Sequence, residues 1–506
     1  MTYEEFIETK KLLVPLSGFE PKPINPVLFE FQQAIVRWGL RKGKFAAFED
    51  CGLGKSLQEW EFAKQCSAHS DMPSILFAPL SVGAQMINEC ARFGYSINPC
   101  RSRNDVRSGI NVANYEILDK FSPEDFGTIV LDESSILKGG SLGKTANELV
   151  DFASTIPYRM AATATPSPND LIELCFHAEF LGIMKESEIK ALFFTQDGNS
   201  SNKFRLKRNA HQAFYKWLSS WAVALRKPSD LGYSDEGFIL PELRIHEIVI
   251  DSSEQFANGM LFAIEAHGIS EQRAARRNSL VDRVNATAGL VNDDDDQWLV
   301  WCGLNDEGDA LEKEIDDCVQ VSGKDSPDHK VNAMLGFQNG TIENVVSKPS
   351  MWGFGMNFQN SHKAIFCGLG NSFEEYYQAL KRQHRFGQVH PVDAYVIVTP
   401  EDGRVVENIR RKWQQNDKLF DELVKHMAIH LDLGATNKDE MKYNAALDIA
   451  VPKWLNANQE SYGQSETSWI NLDSIYFQMD GSESLTINKP IGASAIIIPS
   501  WIQGVI

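Results

Sequence analysis

Two sets of short apolar runs, alternating with segments of helical spacing, constrain this chain more than any other feature. The first set is "FAAF" (45–48), "SILFA" (74–78), "INVAN" (110–114), "TIVLD" (128–132) and "YRMAAT" (158–163). A mainly helical stretch, 169–227, precedes a second set that opens at "LPELRIHEIVID" (240–251). It continues with "WLVWC" (298–302), "NVVSK" (344–348), "AIFCG" (364–368) and "DAYVIV" (393–398). Strand-like runs interleaved with helices predict α/β construction around parallel sheets. A chain of 506 residues exceeds one compact core. The expected fold class is therefore α/β, with two domains in tandem and a tail after about residue 435, where the pattern weakens. The acidic run "DDDD" (293–296) reads as a loop.

Composition excludes several classes. With 43 % hydrophobic and 23 % charged residues the chain is of the soluble globular type. No apolar run is long enough for a bilayer, and "MTYEEFIETKK" lacks the apolar centre of a secretory leader. The eight cysteines form no CxxC pair and no Cys/His cluster, so reduced thiols in a cytoplasm are expected, with neither a disulfide frame nor a zinc site. A net charge of −19 argues against bulk coating of nucleic acid but leaves room for a local basic groove. Basic stretches at 41–44, 203–208, 273–277 and 410–412 read individually as solvated faces.

Chemistry concentrates at the ends of the apolar runs. "EDCGLGKSLQ" (49–58) places Gly52, Leu53, Gly54, Lys55 and Ser56 between a strand and a helix. Such a loop turns backbone N–H groups toward phosphate oxygens, with the lysine reaching the β- and γ-phosphates and the serine hydroxyl ligating Mg²⁺. The helix N-terminus adds its own preference for an anion. Glu49 stands where the full phosphate-loop pattern has its first glycine. "TIVLDESS" places Asp132 and Glu133 at a strand's carboxyl end, where open α/β sheets bind ligands. Asp132 suits a metal, and Glu133 suits the polarisation of an attacking water. "AATATPSPND" (161–170) supplies Thr163 and Thr165, able to sense a γ-phosphate or contact Glu133; a capped helix start explains the stretch equally well. In "QALKRQHRFGQ" (378–388), Arg382 and Arg385 lie three apart, which predicts one face of a helix and a pair of planar forks for a phosphate.

In this order the motifs resemble those of superfamily 2 helicases and translocases, specifically the Swi/Snf-type DNA translocases, and they span roughly residues 28 to 388. "LFEFQ" resembles the adenine-reading Q motif, with Gln32 as its glutamine. "EDCGLGKS" resembles the DEMGLGKT loop, "SILFAPLSVGAQM" motif Ia, "GINVANYEIL" motif Ib, "LDESS" the DExx box and "TATP" the TGTP of motif III. "WLVWCGLNDEGDALEKEI" sits at motif IV. "SKPSMWGFGMNFQ" resembles motif V, with Gly353 and Gly355 at its glycines, and "QALKRQHRFGQ" resembles motif VI, QAxxRxHRxGQ, beginning at Gln378. The chain departs from the family at Ser135, where the DExx box usually has His or an equivalent partner, and at "PSMWGFG", where small residues are usual. Compact spacing suggests a phage or bacterial member, in the latter's or the host's cytoplasm.

The resemblance implies two tandem RecA-like domains with ATP and Mg²⁺ in the cleft between them. The expected divisions are an extension over 1–24, a first domain over 25–238 with a helical insertion at about 169–227, a second domain over 239–434, and a tail over 435–506 without assigned role. It implies catalytic roles for Lys55, Asp132, Glu133, Arg382 and Arg385, with Mg²⁺ held by Ser56 and Asp132. ATP contacts would come from Gln32, Gly52, Leu53, Gly54, Lys55, Ser56, Thr163, Thr165, Gly353, Gly355 and Gln378. Nucleic-acid contacts would come from Pro79, Ser81, Asn114 and Lys138. The implied activity is a nucleic-acid-stimulated ATPase moving along DNA, with duplex preferred to RNA. A strand-separating DNA or RNA helicase, and a non-translocating ATP switch that recruits a partner, remain open alternatives.

Overall fold

Strands β1 (Lys44–Glu49), β2 (Ser74–Ala78), β3 (Ile97–Pro99), β4 (Ile110–Asn114), β5 (Thr128–Asp132) and β6 (Tyr158–Thr163) build the first lobe of the computed structural model. The structure describes residues 14, 16–79, 86–87, 89–196, 204–250, 269–352, 357–427, 477–479 and 485–487. β7 (Phe194–Gln196) and β8 (Phe204–Leu206) form a separate antiparallel pair, and β9 (Ala222–Leu225) returns to the main sheet. That sheet is entirely parallel, in the order β3-β4-β2-β5-β6-β1-β9. The second lobe has β10 (Leu243–Val249), β11 (Trp298–Trp301), β12 (Cys318–Val321), β13 (Asn344–Ser347), β14 (Lys363–Phe366) and β15 (Val392–Val398). These strands are also parallel, in the order β10-β15-β14-β11-β13-β12. The pair Phe477–Met479 and Leu485–Ile487 is an antiparallel hairpin in a separate unit spanning 445–506.

The apolar runs become strands because both faces of each sheet are covered, so an unbroken apolar sequence is what the position demands. β2, β4, β5 and β6 have the same limits as the runs read from sequence. Three strands of the main sheets did not stand out as runs. β9 lies inside the stretch read as mainly helical, yet it flanks β1. "AVAL" is short, apolar and without alternation, and periodicity does not separate such a piece from buried helix. β3 and β12 are likewise short, while β7 and β8 are three residues each. The acidic run 293–296 is a loop, tied down where Lys363 pairs with Asp294 and, at 2.8 Å, with Asp296.

One element joins the two lobes. The helix Gly403–Met427 carries Val405, Ile409, Asn416, Leu419, Phe420, Leu423 and Met427 along one buried stripe. Val405 and Ile409 lie in the second lobe's core, whereas Leu419, Phe420, Leu423 and Met427 lie in the first lobe's. Met427 Sδ accepts the backbone N–H of Ala224 in β9 at 2.9 Å, and Arg226 pairs with Asp421. The chain thus leaves the first lobe after β9, builds the second, and returns.

Leu423 is 0 % exposed. Leu423→Ala is expected to cost about 3 kcal/mol, from lost burial plus the cavity left behind. Urea unfolding should show a lower midpoint at an unchanged slope if the two lobes unfold together. A separate early transition would show that the helix is only peripheral to the first core.

Candidate active site

β1 delivers the chain into a loop whose conformation demands glycine twice. Gly52 and Gly54 have φ of +90° and +76°, in the left-handed region. A Cβ at position 52 would stand 2.9 Å from the backbone nitrogen of Phe386, and one at position 54 would stand 2.4 Å from Gln32 Nε2. Gln32 is buried; its Nε2 donates to Leu53 O at 2.7 Å and its Oε1 accepts Phe29 N–H at 2.9 Å. The Q-motif glutamine therefore holds the loop from beneath. The helix Lys55–Ser70 starts at once, with Ser56 in its first turn, and Lys55 Nζ donates to the carbonyls of Glu49 (2.8 Å) and Asp50 (3.2 Å). Glu49 fills the missing-glycine position as a fully buried acid, its Oε2 accepting Gln58 Nε2 at 2.8 Å.

β6 lies between β1 and β5, so its end places Thr163 between the loop and the DExx box. Thr163 Oγ1 donates to Glu133 Oε2 at 3.3 Å and accepts Thr165 N–H at 3.1 Å. Glu133 itself is left-handed, with φ of 56°. A non-glycine residue in that region stores of order 1 kcal/mol or more and points to a functional demand. Beneath it Ser134 Oγ lies 3.2 Å from Nε2 of the buried His177, whose pKa burial lowers to about 4, leaving a neutral ring.

The site is crowded with acids. Burial, then repulsion from Glu133, pushes Asp132 up to about 7. Glu133 is also raised, first by burial, against the pull of Lys55 and Arg382. Glu59 is raised well above the carboxylate range by burial and by Asp132, and both its oxygens are buried without a hydrogen-bond donor. Burial acts to lower Lys55, but the surrounding groups Cys51, Glu133, Glu49 and Asp50 outweigh it and hold the ammonium above its ordinary value.

The second lobe closes this arrangement with the helix Phe373–Leu380 and the turn after it. Gln378 Nε2 donates to Glu133 Oε2 at 3.3 Å, and its Oε1 accepts Arg382 Nη2 at 2.7 Å and Cys51 Sγ at 3.4 Å. Tyr377 OH and Lys381 Nζ both donate to the Asp50 carboxylate, at 2.7 and 2.9 Å. Glu374 forms an ion pair with Lys138. Arg385 is pushed down to about 10 by burial and by Arg382, and lies against Gly52. The one-face expectation for Arg382 and Arg385 is corrected: the helix ends at Leu380 and both arginines lie in the turn beyond it. Gln383 draws that turn down by donating to Ser361 Oγ (2.8 Å) and Lys363 O (2.9 Å), and Gly387 has φ of +91°, which no continuing helix accommodates.

Of the expected nucleic-acid contacts, Pro79 and Asn114 follow or end paired strands, with Ala78 opposite Asn114 at one sheet edge. Lys138 instead faces Glu374, and Ser81, Gly353 and Gly355 lie outside the described residues. Sequence reasoning missed Asp50, Tyr377, Lys381, Glu374, Glu59 and His177. Only Asp50 and Lys381 stood inside quoted motifs, and pairing between two motifs leaves no periodicity to read.

The residues fit a nucleoside triphosphate and a divalent cation. The loop offers a cradle that any Cβ would fill, flanked by Lys55 and Arg385. Burial and repulsion from a neighbouring acid raise both Glu59 and Asp132, and a cation beside Ser56 and Asp132 would offset that repulsion. Among the described residues no group of three or more His, Cys, Asp or Glu forms a ready-made metal cage. One or two carboxylates plus substrate oxygens is the usual holding of Mg²⁺.

Two lobes of parallel sheet, with the glycine-rich loop, the DExx box and the motif III stretch in one and the motif VI stretch in the other, resemble the fold of superfamily 2 ATPase cores. No protein-family model matches the chain. It is similar to TATA-binding protein-associated factor 172 of Homo sapiens, 28 % identical over 215 residues, 35 % of this chain and 11 % of that protein. It is also similar to TATA-binding protein-associated factor mot1 of Schizosaccharomyces pombe, 21 % identical over 505 residues, 75 % of this chain and 26 % of that protein. The chain spans about a quarter or less of the length of these curated relatives. Among solved structures, the ATP-dependent Type ISP restriction-modification enzyme LlaBIII bound to DNA matches at TM-score 0.51 and 12 % identity, covering 79 % of this chain and 30 % of that one.

Burial, opposed by Lys55 and the Gln58 hydrogen bond, raises Glu49 to about 7, above its unfolded value of about 4.3. Its ionised form therefore costs stability at pH 8, and that cost disappears as pH falls below the unfolded pKa. Glu49→Gln is expected to stabilise the fold at pH 8, by up to ~3 kcal/mol, and to do so progressively less down to pH 4. Equal effects at pH 8 and pH 4 in chemical denaturation would show that folding does not raise the Glu49 pKa.

Proposed function

We propose that this chain is a DNA-stimulated ATPase of the Swi/Snf type that couples ATP hydrolysis to movement along duplex DNA. The observation that carries the reading is the seating of Arg385 and Phe386 against Gly52 while Gln378 reaches Glu133. Motif VI thereby completes a site whose phosphate loop belongs to the other lobe.

In this reading Gly52, Leu53, Gly54, Lys55 and Ser56 bind the triphosphate, with Lys55 turning from the carbonyls of Glu49 and Asp50 to the β- and γ-phosphates. Glu133 orients the attacking water and accepts its proton, its carboxylate aimed by Thr163 and Gln378. Arg385, with Arg382 beside it, stabilises negative charge on the transferring phosphoryl group, a contribution of about 10³–10⁵ in rate in related systems. Mg²⁺, held by Ser56 and Asp132, would neutralise charge on the phosphates. The proposed domains are 25–238 and 239–434, and closing of the cleft between them assembles the site. DNA contacts from Pro79, Ser81 and Asn114 go to phosphates, which position without reading sequence. Support for DNA comes from LlaBIII, a structural neighbour bound to DNA. No helix among the described residues is long and apolar enough to cross a membrane, and a cytoplasmic location fits the eight cysteines, all free.

ATP turnover measured with duplex DNA, single-stranded DNA, RNA and no polymer tests the reading. Duplex DNA should stimulate most, with apparent affinity falling as salt rises. Stimulation by RNA alone would move the protein to another superfamily 2 branch, and no stimulation would favour the recruiting switch. Arg385→Ala is expected to lower kcat by about 10³ while changing the KM for ATP little, because its charge acts in the transition state. Glu133→Gln should still bind ATP but not turn it over. A silent Arg385→Ala variant would show that the second lobe does not complete the site.

A further inference from the structure

The DExx box of this chain ends in Ser135, whose hydroxyl lies 3.5 Å from the carbonyl of Glu133, inside its own loop. Three residues further along the same turn, Lys138 crosses to the other lobe and pairs with Glu374. The two partners are unlike. The Glu374 side chain is 5 % exposed, whereas that of Lys138 is 43 % exposed. A carboxylate so far from water needs a counter-charge, and here the other lobe supplies it.

Glu374 occupies the first turn of the helix Phe373–Leu380, four residues before Gln378 and so on the same face. That face meets the first lobe in sequence: Glu374 at Lys138, Gln378 at Glu133, Tyr377 and Lys381 at Asp50. Sliding the helix by a turn, about 5.4 Å, would break every one of these contacts together. We infer that Lys138 and Glu374 are a positioning pair that sets the register of the motif VI helix on the DExx loop, the communication that Ser135 does not supply. Neither touches the reacting atoms; the pair acts through Gln378 and Glu133. Without Lys138, Glu374 would also present an uncompensated negative charge to Glu133, which it already repels. The inference rests on ATP hydrolysis at this site and makes Lys138 a link between lobes rather than a phosphate contact.

Charge exchange tests it. Steady-state ATP turnover is compared for the wild type, Lys138→Glu, Glu374→Lys and the double exchange, with Lys138→Arg and Lys138→Met as further variants. Each single exchange, and Lys138→Met, should lower kcat about tenfold with the KM for ATP within about threefold of wild type, and the double exchange should recover most of the loss. Lys138→Arg should retain wild-type kcat. Lys138 is largely exposed, so its variants remain informative if Glu374→Lys fails to fold. Single exchanges at wild-type kcat, a double exchange no better than the poorer single, or an effect on KM alone would overturn the pair. A wild type that hydrolyses no ATP would instead overturn the proposed function, so the two failures are distinct.

Discussion

The carboxylate of Asp50 is the point on which the arrangement of the two lobes depends. It is 8 % exposed, and burial alone would raise its pKa; Lys381, Tyr377 and the N–H of Cys51 together bring it below the ordinary value. Two of those three donors belong to the other lobe. Buried ion pairs are poor sources of net stability, because desolvation offsets attraction. Removing one partner, however, strands a buried charge at a cost of about 3–5 kcal/mol. Asp50 therefore penalises wrong or missing contacts more than it rewards the right one. It lies two residues from Gly52, so the helix that satisfies Asp50 also brings Arg385 to the phosphate loop.

The same region concentrates what a stability-optimised protein would avoid. Glu49, Glu59 and Asp132 are buried acids with raised pKa values, and the half-buried Glu133 is raised too and has a left-handed backbone. Each device weakens the empty fold and suits a site that receives phosphates, a cation and a water. The reserve lies in the surrounding core: six tryptophans, including Trp60, Trp217 and Trp298, are among the largest fully buried side chains.

Much of the first sheet was legible because a strand covered on both faces is apolar along most of its length, as β2, β4, β5 and β6 are. The glycine-rich loop after β1 was legible because left-handed turns select glycine, as at Gly52 and Gly54. β9 was not, since four apolar residues carry no period. The turn holding Arg382 and Arg385 was misread because a three-residue spacing looks helical whether or not a helix continues. What ends the helix is Gln383 reaching back to Ser361 and Lys363, a contact across some twenty residues. Lys381, Tyr377 and Glu374 were missed for a related reason: each has meaning only against a partner more than two hundred residues away.

Two covalent crossings limit how the lobes can move. The chain passes out of the first lobe after β9, and the helix Gly403–Met427 brings it back beside the same strand. At one end this helix packs Trp413 on Phe373, Tyr376 and Tyr377, the helix that carries Gln378; at the other it buries Leu419, Phe420, Leu423 and Met427 in the first core. Lys412, next to Trp413, donates to Asn169 Oδ1 in the stretch after the motif III threonines at 2.8 Å. Two lobes held by a single strand could swivel about any axis. Held by a strand and by a helix embedded in both cores, they are tied at two points, both beside β9. The contacts at Asp50, Glu133 and Glu374 all lie on the one face between these doubly tied lobes, so any separation of the lobes would have to break them together.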